Sequence, residues 1–219
     1  MLPLEHGFVM EDDPHFPLGA DAVQLAHAAA RFAPEGARVC DLGCGAGGVS
    51  LLLAAARPDL TVAGVELREE AAALFRENIA RNSAEDRLSV CPGDLRRVRT
   101  LLPPRSFDEA VANPPYRAVS EGRLPRQPER AAARTELTAS LADFCAAAAY
   151  LLPRSGAFTL VYPPEKLAIL FRTLHASGFA PSSLILCHPG PGRRASIAVC
   201  RAVLGGGGGL SVLPPVFLH

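Results

Sequence analysis

The sequence predicts an α/β fold: a doubly wound, seven-stranded, mostly parallel sheet with an antiparallel hairpin at one edge. Three observations predict it. Short runs that are apolar nearly throughout alternate with helical stretches at the length a βαβ unit needs, and strands of that kind belong to a sheet covered on both faces. The unusual residues Asp41, Glu66, Asp94 and Asn113 stand where four of those runs end. Near the C-terminus, "LILCHPGPGRRASIAVCRAV" sets two strand-like runs about a Pro/Gly turn with no room for a helix, which forces an antiparallel pair.

The elements follow in order. "GADAVQLAHAAARFAPEG" reads as a helix closed by Pro34 and Gly36, and "ARVCDLG" as the first strand. "AGGVSLLLAAARPD" is a helix, "LTVAGVEL" the second strand, and Glu69 to about Asn82 a polar-faced helix leading into the strand "RLSVCPGD". "FDEAVAN" is the fourth strand. "ERAAARTELTASLADFCAAAAYLLPRSG" reads as one long alanine-rich helix stopped at Pro153, followed by the strand "AFTLVYP" and the helix "EKLAILFRTLHASG", with Gly178 at its stop.

Length and composition bound the rest. A chain of 219 residues that is 49% hydrophobic can bury one sizeable core, so residues 1–219 are expected to form a single domain. Residues 1–37 form its N-terminal helical extension, and residues 205–219 a connection of five glycines followed by a tail too apolar to hang free. No run of eighteen apolar residues marks a membrane span, and "MLPLEHGFVMEDD" lacks the basic start of a secretory signal, so a cytoplasmic location is expected. Six cysteines without a C-x-x-C pair and six scattered histidines give no metal site and no disulfide framework. Net charge is zero, which argues against a simple nucleic-acid-binding module. The balance is local: Arg117, Arg123, Arg126, Arg130 and Arg134 face only Glu121 and Glu129 between positions 117 and 134.

Ligands of a doubly wound sheet sit outside the carboxyl ends of its strands. There Gly43, Gly45 and Gly48 match G-x-G-x-x-G, and Glu66 stands where an acid accepting both ribose hydroxyls belongs. The pattern fits NAD about as well as any other nucleoside cofactor. Asp94 is suited to accept from an exocyclic adenine amine, or equally to make an Asx turn. Asp41 is expected to orient the glycine loop or to meet an amino group of the cofactor. The abrupt end of "FDEAVANPPYRAV" then has a chemical reading. The Asn113 side-chain carbonyl and the Pro114 main-chain carbonyl can accept two protons from a planar amine, while Tyr116 stacks on the ring that carries it.

These features resemble a Rossmann-like class I S-adenosylmethionine-dependent methyltransferase, "NPPY" being similar to the signature of enzymes that methylate exocyclic amines of adenine or cytosine, or the amide of glutamine. More narrowly, "HFPLGADAVQLAHAA", "VCDLGCGAGGVSLLLAAARPDLTVAGVEL", "ENIARN", "PGD", "VANPPY" and "LPPVFLH" resemble the bacterial tRNA1(Val) adenine-N6 methyltransferase family over nearly the whole chain. The resemblance implies S-adenosyl-L-methionine as cofactor and tRNA as partner, with neither membrane nor metal, and leaves the oligomeric state open. It implies a cofactor pocket built from Asp21, Asp41, Gly43, Cys44, Gly45 and Glu66, completed by Leu67, Asp94, Leu95 and Asn113. Catalysis falls to Asn113, Pro114 and Tyr116, and substrate contacts to Pro115, Tyr116, Arg117, Arg123 and Arg126. The lysine expected before the glycines near the last strand is absent, Arg201 being the nearest base. A glutamine methyltransferase of release-factor type is the rival enzyme, disfavoured because residues 1–37 leave no room for its helical substrate domain. An inactive methyltransferase-like RNA-binding protein and an NAD-dependent dehydrogenase complete the alternatives.

Overall fold

The computed structural model describes residues 1–115 and 139–218. Tyr116, Arg117, Arg123 and Arg126 lie outside the described residues.

The chain opens with β1 (Leu2–Pro3) and β2 (Val9–Met10), an antiparallel pair within the stretch expected to be helical. Helix α1 (Ala20–Phe32) follows, then β3 (Arg38–Leu42), α2 (Gly48–Ala56), β4 (Thr61–Glu66), α3 (Glu69–Arg81) and β5 (Leu88–Pro92). After the one-turn α4 (Val98–Leu101) come β6 (Glu109–Ala112), α5 (Leu141–Leu151), β7 (Ala157–Tyr162), α6 (Leu167–Ala176), β8 (Phe179–His188) and β9 (Ile197–Leu204). Two short strands, β10 (Ser211–Val212) and β11 (Val216–Phe217), close the chain.

The main sheet has nine strands, not seven. Its order is β10-β8-β9-β7-β6-β3-β4-β5, with β11 also on β8. Strands β3 to β7 are parallel, and β9 runs antiparallel between β7 and β8. The expected hairpin is therefore present, but its outer strand is not a bare edge. β10 and β11 pair in parallel with Ser183–Leu184 and Cys187–His188, satisfying edge groups that would otherwise invite another chain. The glycine run begins inside this framework: the Gly205 N–H donates to Gly178 O at 2.8 Å.

Alternation along the strands sorts the core into two layers. Val39, Val62, Val111, Val161 and Val199 pack under α1, α2 and α3 with Leu25, Leu51, Phe75 and Ile79. Cys40, Leu42, Ala110, Phe158 and Leu160 pack on the other face with Phe144, Leu151, Leu170 and Leu174 of α5 and α6. Residues 129–138 of the expected long helix lie outside the described residues, and Ala139 and Ser140, just before helix α5, are not helical. The helix starts at Leu141, where the Ser140 side chain accepts from the Asp143 N–H and the Asp143 carboxylate accepts from the Ser140 N–H at 2.8 Å. That reciprocal cap satisfies two groups that a continuous helix would bond internally, and it fixes a start.

One polar group lies deep in the α1-side layer. Glu109 is 0% exposed and accepts from Thr159 Oγ1 at 2.6 Å. Its Oε2 and Arg201 Nε are buried without a partner among the described residues. Burial pushes the Glu109 carboxyl up to about 7, against the Thr159 hydrogen bond and the Arg201 charge.

Candidate active site

The carboxyl ends of β3, β4, β5 and β6 open into a cleft of about 870 Å³. Asp21, Asp41, Gly43, Cys44, Gly45, Glu66, Leu67, Asp94, Leu95, Asn113, Pro114 and Pro115 all line it. The structure thus gathers every described candidate around one space.

The loop after β3 is tied to β4 by its own backbone. Gly43 and Cys44 N–H groups donate to Val65 O at 2.8 and 3.2 Å, and the Gly45 N–H donates to Glu66 Oε2 at 2.9 Å. Gly45 holds φ +56, and a Cβ there would meet nothing within 4 Å. Gly47, at φ +88, caps α2 where a Cβ would collide with the Phe75 ring; only glycine lets the loop turn this tightly over α3.

Glu66 is 7% exposed, and its other oxygen accepts from the Arg68 N–H at 2.9 Å. Each carboxylate oxygen can accept more than one hydrogen bond, so the backbone aims the group without exhausting it. Asp41 is 2% exposed and accepts from Ser50 Oγ at 2.7 Å. Burial pushes its carboxyl up to about 7, with the Ser50 bond opposing and the Glu66 charge assisting. Asp94 makes the Asx-type turn that the sequence left open: Oδ1 accepts from the Arg96 N–H at 2.9 Å, and the Arg96 guanidinium pairs with the carboxylate at 2.7 Å. That pairing holds Asp94 below the ordinary carboxylate range.

Asn113 leaves β6 with its Nδ2 donating to Asp21 Oδ2 at 3.0 Å. Asp21 sits in the first turn of α1, where the helix dipole favours its charge. Pro114 is buried behind Asn113, and Pro115 is exposed.

Several cleft residues carry no site role in the sequence reading, although His15, Phe16 and Leu18 stand in the quoted "HFPLGADAVQLAHAA" stretch. Met10, Asp12, His15, Phe16 and Leu18 form one wall, supplied by the N-terminal segment. Asn78 in α3 and Asn82 at its C-cap, one turn apart, hold that segment down. Asn82 accepts from the Val9 N–H at 2.8 Å and donates to Val9 O at 2.7 Å; Asn78 accepts from the Glu11 N–H at 2.7 Å and donates to Glu11 O and to Ala46 O, each at 3.0 Å. The helix here acts as a neighbouring strand would, reading alternate residues of an extended chain. Arg68 fastens the next stretch, pairing with Asp13 and lying 4.7 Å from the Phe16 ring centre. The "ENIARN" stretch was the available signal for the asparagines. Nothing in the sequence sets Arg68 apart from the other arginines.

Around the cleft stand the carboxylates of Asp12, Asp21, Asp41, Glu66 and Asp94, with Arg68 as the one arginine or lysine among the described lining residues. No group of three or more His, Cys, Asp or Glu able to hold a metal occurs among the described residues. No helix among them is long and apolar enough to cross a membrane.

Known proteins bear on this geometry. A tRNA1(Val) (adenine(37)-N6)-methyltransferase of Bacteroides thetaiotaomicron is 35% identical over 150 residues, covering 68% of this chain and 60% of the relative. One from Aeromonas salmonicida is 34% identical over 149 residues, covering 67% and 59%. The chain thus spans about three fifths of the length of these curated relatives. Among solved structures, a predicted O-methyltransferase from Agrobacterium tumefaciens superposes with TM-score 0.73 at 24% identity, covering 91% of this chain and 88% of that one. A 16S rRNA N2 G1207 methyltransferase of Thermus thermophilus, in complex with AdoMet and guanosine, gives TM-score 0.60 at 22% identity, covering 87% and 44%. These likenesses establish a Rossmann-like methyltransferase fold. The model of the methyltransferase small domain matches residues 23–165, from α1 past all four strand ends that open the cleft, and the chain belongs to the methyltransferase small domain family.

Proposed function

We propose that this protein is an S-adenosyl-L-methionine-dependent N-methyltransferase acting on an exocyclic amine, N6 of an adenine in tRNA, in the cytoplasm. The observation that carries the reading is Asn113, its amide oriented by Asp21, at the rim of an acid-lined cleft. A dinucleotide brings a dianionic pyrophosphate and needs free loop N–H groups. Here the Gly45 N–H already serves the Glu66 carboxylate, and five carboxylates line the space. Such a site repels a pyrophosphate and suits a cofactor with a sulfonium and an ammonium group.

The residues fit that cofactor. Glu66 would accept from the ribose hydroxyls, Leu67 and Leu95 would flank the adenine, and Asp41 and the glycine loop would meet the amino-acid end. Bound there, S-adenosyl-L-methionine supplies an electrophilic methyl group. Asp21 can only accept, so Asn113 turns its Nδ2 to Asp21 and keeps Oδ1 as the acceptor end. Oδ1 and the Pro114 carbonyl would accept hydrogen bonds from the two N–H groups of the amine, stabilising the positive charge that grows on its nitrogen as it attacks, and one of those protons would leave to solvent once the N–C bond has formed. Tyr116 would stack on the base, with Pro115 beside it and Arg117, Arg123 and Arg126 against phosphates. The acceptor follows from the relatives' tRNA specificity, carried over here as part of the proposal.

Methyl transfer from labelled cofactor to separated RNA and protein pools, followed by nucleoside mass analysis, tests the reading. N6-methyladenosine is the expected product. Label confined to protein overturns the nucleic-acid acceptor.

A further inference from the structure

The chain is neutral overall, yet its charge is divided. From Lys166 to the C-terminus there is no Asp or Glu, against Lys166, Arg172, Arg193, Arg194 and Arg201. Two of these cations stand together on the turn between β8 and β9. Because β9 is antiparallel to both β7 and β8, β8 runs in the direction of β7, and the turn emerges at the sheet end where the cleft opens. Beside it is a second recess of about 260 Å³, lined by Ala20, Asp21, Tyr162, Pro163, Ser196 and Ile197. Asp21 lines both spaces and bonds to Asn113, so the turn lies one recess away from the acceptor amide.

The turn is also built to hold its shape. The Arg193 N–H donates to Gly190 O at 3.2 Å, and the Ser196 N–H to Cys187 O at 2.9 Å. His188 Nδ1 lies 2.7 Å from Arg193 O, its ring 6.0 Å from that of Phe217 on the tail, and the Leu218 N–H donates to His188 O at 2.7 Å. Both arginine side chains are exposed and form no ion pair among the described residues. A cation pair on a hydrogen-bonded turn, with no acid paired to it among the described residues, matches a phosphodiester strand. The guanidinium fork fits phosphate oxygens, and little ordering is left to offset on binding.

We propose that Arg193 and Arg194, carried on the β8–β9 turn beside the recess that adjoins Asn113, grip the phosphates of the RNA strand bearing the target base. This rests on the reading that the acceptor is RNA. It also assigns a role to the tail: pairing along β8 and setting the Phe217 ring at a tilt against His188, it steadies the turn from outside.

The test uses the full chain and a tRNA1(Val) transcript. Arg193→Glu with Arg194→Glu should raise the RNA KM about tenfold and leave cofactor affinity unchanged. The slope of log binding constant against log salt should become shallower by about 1.4–1.8, at roughly 0.7–0.9 per lost phosphate contact. Arg193→Lys with Arg194→Lys should keep the wild-type slope, and the Ala pair should reproduce the Glu result more weakly if the Glu pair misfolds. A variant that binds cofactor normally, with unchanged RNA KM and salt slope, overturns the assignment. Failure of the unmodified protein to methylate RNA would instead bring down the acceptor reading, a result visible before any arginine is changed.

Discussion

Asn113 and Asp21, 92 positions apart, meet through a 3.0 Å hydrogen bond from Nδ2 to Oδ2. The bond engages Nδ2 as the donor, so that in the proposed reading Oδ1 is the end that accepts a hydrogen bond from the amine. Asp21→Asn removes that constraint, because an asparagine partner can either donate or accept. Hydrogen bonds to charged groups contribute about 1.5–3 kcal/mol, so turnover should fall roughly ten- to a hundredfold. Single-turnover kinetics at saturating cofactor measure it, and an unchanged rate would separate Asp21 from the orientation of Asn113.

Glu66 serves two masters, the loop backbone and the proposed ribose. Glu66→Ala should weaken cofactor binding by about 1.5–3 kcal/mol, read by calorimetry. Glu66→Gln retains a carbonyl acceptor for one backbone N–H and should fall between the two. Equal affinity in all three proteins would remove the residue from the cofactor site.

Removing the Asn78 amide strands the Glu11 backbone and Ala46 O at once. Asn78→Ala is expected to cost about 1–3 kcal/mol of stability and to loosen the N-terminal wall of the cleft. Chemical denaturation gives the first effect. Hydrogen exchange at Val9 and Glu11, faster than in the parent protein, gives the second.

Glu109 makes stability depend on pH in an unusual direction. Its folded value, about 7, lies above the ordinary carboxyl value of 4.5, so the native state keeps the proton longer than the unfolded chain. That contribution is fully present below about 4.5 and is lost as pH rises through 7. Glu109→Gln keeps an acceptor for Thr159 Oγ1 and abolishes the titration. Denaturation midpoints should therefore fall less between pH 5 and 8 in the variant. The slope should shrink rather than vanish, because Asp41 is raised in the same sense. Parallel pH profiles would show that Glu109 does not titrate in this window.

What could be read in advance follows from where the information sits. The parallel strands announce themselves because both their faces are buried, and the cleft because Asp41, Glu66, Asp94 and Asn113 are out of place at apolar strand ends. β10 and β11 were illegible as strands: each is two residues long and is defined by main-chain pairing with β8, which no side-chain pattern encodes. The start of α5 was overridden by alanine-rich composition, although Ser140 and Asp143 already spelled its cap. The wall formed by the N-terminal segment depends on Asn78 and Asn82 bonding to backbone, a contact indifferent to the identity of Val9 and Glu11 and so invisible in them.

In the proposed mechanism Asn113 acts chiefly by holding the amine, any contact with the cofactor being secondary. The most direct measurement is the single-turnover methylation rate of Asn113→Ala on a tRNA1(Val) transcript, with cofactor affinity measured on the same protein. Loss of one preorganised partner costs about 2.7–4 kcal/mol, so the rate should fall roughly a hundred- to a thousandfold while cofactor affinity holds. A rate within about threefold of the parent protein would contradict the account.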